Sequence, residues 1–104
     1  MFKLETKPVF TAEVEIPIPG LPPERIKFDF KHKTRSEFDA LAKAIREDQK
    51  TVEEAVREVV VGWNAPGAEF TEEALNTCFE LFPGSPFAIF TAYRSNLIEG
   101  RRKN

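Results

Sequence analysis

The first regular pattern along the chain is an alternation. Phe10, Ala12, Val14 and Ile16 fall on one face of residues 10–16, and Thr11, Glu13 and Glu15 fall on the other. Residues 26–31 repeat the pattern, with Ile26, Phe28 and Phe30 opposed to Lys27, Asp29 and Lys31. A period of two with one apolar face predicts two half-buried strands. Between them stands "PIPGLPPE", in which Pro17, Pro19, Pro22 and Pro23 fix φ and remove backbone donors. That density predicts a stiff connection rather than a continuation of either strand.

After residue 35 the period lengthens to that of a helix. Ser36 is placed to cap a first helix carrying Phe38, Leu41, Ala42 and Ile45 on one face, with Asp39 at its third position. Thr51 with Glu54 three residues on has the form of a capping box, and Val52, Val56, Val59 and Trp63 recur behind it. The run Val59–Val61 suits either a helix end or a short strand; the upstream alanine and glutamates favour helix. "GWNAPGAEFT" breaks that segment. Thr71 then caps a third helix, with Phe70 and Leu75 spaced for a hydrophobic staple and Leu75, Cys78, Phe79 and Phe82 as its stripe. Pro83-Gly84 turns the chain, Ser85 is placed as the next cap and Pro86 as the first helical residue. The last helix carries Phe87, Phe90, Tyr93, Leu97 and Ile98, and Gly100 suits its end.

A lone hairpin is marginal in water, so its apolar face requires cover from the helices. The prediction is an α+β fold, an N-terminal antiparallel β-hairpin packed against about four short helices. At 104 residues the chain reads as one domain, 1–104, with a flexible N-terminal segment 1–8 and a basic tail 101–104. A net charge of −2 argues against general nucleic-acid binding. The charge is uneven, however: residues 47–80 hold nine acids against Lys50 and Arg57, while Arg94, Arg101, Arg102 and Lys103 mark the C-terminal end. Ten phenylalanines are more than a small core must hide, and the surplus suits a partner or subunit interface.

Candidate chemistry is sparse. Cys78 is the sole cysteine, so no internal disulfide is possible; it reads as an inert thiol in an apolar stripe. His32 is the sole histidine, at a strand end and with no evident partner, and reads as structural. Glu54 and Glu58 share a helix face, which reads as solvated rather than catalytic. The five glycines stand singly, so no phosphate-cradling loop appears. The bases Arg25, Lys27, Lys31, Lys33 and Arg35 read as a solvated strand face more readily than a nucleic-acid contact. No secretory signal or long apolar span is evident, which predicts a cytosolic chain with no membrane partner. The expectation is a non-enzymatic protein without cofactor or metal that works by binding other proteins.

Larger patterns extend that expectation. "VGWN", "EFTEEALNTCFELFPG" and "SPFAIFTAYRSNLIEGRRKN", preceded by "VEIPIPG" and "IKFDFKHKT", resemble the small tail assembly chaperones of long-tailed bacteriophages. The likeness rests on the order of Gly62-Trp63, Phe70-Thr71, Leu75, Pro83, Ala88, Tyr93 and Lys103-Asn104, and it covers most of the chain. It implies a non-enzyme that binds the tape-measure protein and holds it soluble while tail-tube subunits polymerise around it. The tail tube protein and a second copy of the chain are further partners to consider. It also implies action in the host cytoplasm and absence from the mature virion. This chain would be the short product of a gene that, in many phages, also yields a longer frameshifted one. Trp63, Phe87, Phe90 and Tyr93 are the candidate anchors, with core packing as the competing role for each, and Arg101, Arg102 and Lys103 the candidate electrostatic contacts. The alternative is a small virion or tail structural protein that self-associates.

Overall fold

In the computed structural model, which describes residues 2–100, strands β1 (Val9–Ile18) and β2 (Leu21–Lys31) form the expected antiparallel hairpin. Its register pairs Phe10 with Phe30, Ala12 with Phe28 and Val14 with Ile26. The apolar members of both strands therefore share one face. The other face is polar and cross-linked: Thr11 Oγ1 donates to Asp29 Oδ1 at 2.6 Å, and Arg25 Nε donates to Glu15 at 3.2 Å.

The proline-rich connection is shorter than its composition predicts. Both strands run into it, leaving Pro19-Gly20 as a two-residue turn between the partners Ile18 and Leu21. Proline followed by a glycine at φ +79° is the type II arrangement, in which proline presets the first position and glycine accepts the second. Pro17, Pro22 and Pro23 fall in the register shift beyond Ile16, so none removes a regular ladder bond. Pro17 also lies close to Gly84. A Cβ on Gly84 would lie 2.9 Å from its Cγ, so the turn after the third helix approaches this closely only as glycine.

Helix α1 (Arg35–Arg46) begins two residues earlier than Ser36 capping would allow. Thr34 is the cap: its hydroxyl accepts from the Glu37 N–H at 3.2 Å, while the Glu37 carboxylate accepts from the Thr34 N–H at 2.8 Å. Two orphan donors are satisfied reciprocally, which a Ser36 cap could not do without Glu at its third position. Helix α2 (Val52–Val59) has the predicted Thr51–Glu54 box, at 2.8 and 3.1 Å. The valine run then resolves against the helical reading. The helix stops at Val59, and Val60–Trp63 forms β3, antiparallel to β2, with Phe30 opposite Val60 and Phe28 opposite Trp63. β-Branched residues beside an open strand edge take the extended conformation that gives their backbone a ladder.

Helix α3 (Glu72–Leu81) has Thr71 as its cap. Helix α4 (Ser85–Glu99) starts after Gly84, with Ser85 already inside it, so Ser85 is not the cap. Instead its buried hydroxyl donates to the Cys78 carbonyl at 3.3 Å, tying α4 to the end of α3. Gly100 closes α4 at φ +59°. The sheet order is β1-β2-β3, and α2 and α4 lie against its apolar face. The core joins Val14, Ile16, Phe28 and Phe30 to Val56, Val59, Ile89 and Tyr93.

Candidate protein-binding groove

Four residues of α3 stand at i, i+3, i+4 and i+7: Ala74, Thr77, Cys78 and Leu81. They form one stripe on the helix surface, beside the stripe that buries Leu75 and Phe79. Across from it, Ile26 and Phe28 continue the apolar face of β2, and Trp63 ends β3. Between these walls lies an open groove of ≈ 380 Å³.

Trp63 is fixed on three sides. Its ring meets Phe28 edge-on at 5.7 Å and Phe70 edge-on at 5.2 Å, and its Nε1–H donates to the Ala68 carbonyl at 2.9 Å. The loop after β3 bends back to make that bond through the Ala65–Ala68 bridge. The indole keeps its apolar area available while its polar handle is already satisfied. On the opposite rim Leu81 is 62% exposed, a large apolar side chain left in water. Cys78 is half-buried, and burial pushes its thiol up from the usual range, so at neutral pH it is a neutral, apolar wall group.

A second concavity, ≈ 480 Å³, opens between the start of α1 and the end of α4. His32 borders this one and Cys78 borders the groove, so the chain's two candidate nucleophile and base residues are not brought together. Lys33 at its edge is held by Glu58 at 2.7 Å. Among the described residues no cluster of three or more His, Cys, Asp or Glu side chains could hold a metal ion.

The residues singled out from sequence part company here. Trp63 lines the groove. Phe87 is 71% exposed on the first turn of α4, outside the groove lining. Phe90 is half-buried, stacked on Phe38 at 6.0 Å. Tyr93 is not a surface anchor: it is fully buried, its ring lies 5.1 Å from Phe30, and its hydroxyl donates to the Lys31 carbonyl at 2.9 Å. The helical spacing that joined Tyr93 to Phe87 spans two faces, one against the sheet and one in solvent. Arg101, Arg102 and Lys103 lie outside the described residues. Sequence reasoning missed Ile26, Ala74 and Leu81 as groove residues. The available signal is the second α3 stripe, Ala74, Thr77, Cys78 and Leu81, which adjoins the core stripe at Cys78.

The family model described as phage tail assembly chaperone matches residues 1–104. No curated protein and no solved structure matches the chain.

Proposed function

Since the chain belongs to the phage tail assembly chaperone family, we propose that it binds the tape-measure protein and keeps that long helical chain soluble while the tail tube assembles. The observation that supports this reading is the groove beside Trp63. It combines a rigid indole wall, an apolar floor of Ile26 and Phe28, and a water-exposed Leu81 rim. An open apolar channel between a helix and a sheet edge suits an amphipathic helix laid into it. Side chains of the client that would otherwise aggregate would be shielded there. The role is binding without catalysis, exercised in the host cytoplasm, and the protein leaves before the virion is finished.

Co-expression with the tape-measure protein tests the proposal. The wild-type chain should keep the tape-measure protein in the soluble fraction and co-purify with it. Leu81→Asp should lose that complex while retaining its unfolding midpoint, since Leu81 contributes little buried area. A groove hot spot costs about 2 kcal/mol or more, roughly thirtyfold in affinity. Mass spectrometry of finished particles should find no copies of the chain. Stoichiometric copies in the particle would favour the self-associating structural alternative.

A further inference from the structure

We infer that the groove selects an amphipathic helix whose apolar stripe is bordered by lysine or arginine, an inference that rests on the chaperone reading of the same groove. Acidic residues border it on β2, on the loop after β3 and on α3. Glu73 and Glu80 flank Thr77 at −4 and +3, on the α3 ridge next to the apolar lining. Glu69 follows the lining residue Ala68, just before Phe70. Glu24 precedes Ile26 on the same face of β2. All four are exposed, and among the described residues none makes an ion pair.

No base of the surrounding elements answers them. Residues 64–81, covering the loop and all of α3, contain neither lysine nor arginine. Arg25 and Lys27 belong to the opposite face of the sheet, and Arg57 is held by Asn76 and the Phe79 ring. Acids in the first turn of α3 suit the helix dipole without any partner. Glu80 does not: it stands in the last turn, where the dipole favours a cation. An apolar channel edged by four unpaired carboxylates is complementary to a cationic amphipathic helix and repels an anionic one. The same argument disfavours a second copy's α3 as occupant, because its own edges are acidic.

Two synthetic probes separate these outcomes. Each is a capped helical peptide of about 18 residues, ~27 Å long, without Trp or Tyr, with leucine at i, i+3, i+4 and i+7. One carries lysine beside the stripe and the other glutamate. Trp63 is the only tryptophan, so its emission reports on the groove alone. The lysine peptide should shift that emission saturably and bind about tenfold more tightly than the glutamate peptide. The preference should shrink below about threefold in the folded quadruple variant E24Q/E69Q/E73Q/E80Q, and likewise in about 0.5 M salt. Lys27→Gln, on the far sheet face, should leave it unchanged. Equal affinities, or no emission response to either peptide, would overturn the inference. So would an emission change driven by protein concentration alone, which would give the groove to a second copy. If the chain still solubilises the tape-measure protein after such a result, the chaperone reading stands and only the charge selection is lost. Failure of both ends both.

Discussion

Tyr93 shows what one residue contributes. Its ring sits against Phe10, Phe30, Phe38 and Phe90, and its hydroxyl satisfies the Lys31 carbonyl near the end of β2. Burial, with smaller contributions from Glu58 and Glu37, pushes its ionisation up from 10.0 to about 12. The folded state therefore holds the proton that the unfolded chain releases first. Tyr93's contribution is complete below pH 10 and is lost as pH rises toward about 12. Tyr93 is the only tyrosine, so phenolate absorbance should rise at the unfolding transition and not at pH 10 in native protein. A native titration near pH 10 would contradict the buried placement. Tyr93→Phe should remove this alkaline dependence and cost about 1–3 kcal/mol at neutral pH, because the Lys31 carbonyl loses its donor.

At the scale of elements, cap chemistry separates two neighbouring candidates. Thr34→Ala should destabilise by about 1 kcal/mol, whereas Ser36→Ala should fall within ~0.5 kcal/mol as an exposed change inside the helix. Denaturant midpoints of the two variants would check this, and a reversed order would return the cap to Ser36. The strands and most helices were legible because their signals are local: alternation in 10–16 and 26–30, capping pairs, and Gly100 after a helical run. The errors have a common physical origin. Whether Val60 extends or coils depends on β2 lying open beside it; its partner Phe30 is 30 positions away along the chain, which no local propensity reports. The prolines looked like a long linker because the register shift that accommodates them is a property of the pair of strands. Tyr93 and Phe87 looked equivalent because spacing gives a stripe but not which side of it meets the sheet. The groove was least legible, since Ile26 and Phe28 meet Ala74 and Cys78 only after the chain folds back.

At the scale of the whole molecule, one face of the sheet is committed to α2 and α4, the other is polar, and the groove lies along the β3 side. Holding that arrangement requires the connection after β2 to stay fixed against α2. Glu58 supplies the tie: its two oxygens accept from Lys33 at 2.7 Å and from Lys50 at 2.5 Å. Lys33 follows β2, Lys50 precedes α2, and Glu58 lies within α2, so one carboxylate joins three separate stretches. The bond from Lys33, then that from Lys50, holds the Glu58 carboxyl below its usual range of 4.5, against a smaller opposing effect of burial. A depressed carboxylate contributes stability above the unfolded value and loses it as pH falls through the folded one. The side chain is 34% exposed, so solvent screening holds the contribution to ~1 kcal/mol. Glu58→Gln should therefore lower the denaturant midpoint at pH 7 and lower it by less at pH 2, because proton uptake removes the charge that Lys33 and Lys50 hold. The gap between the two proteins should narrow as pH falls below 4.5. A gap of equal size at both pH values would mean that Glu58 acts through packing rather than charge. Lys33→Met and Lys50→Met distinguish the two arms: removing the Lys33 bond, the larger influence on Glu58, should narrow the acid-dependent gap more.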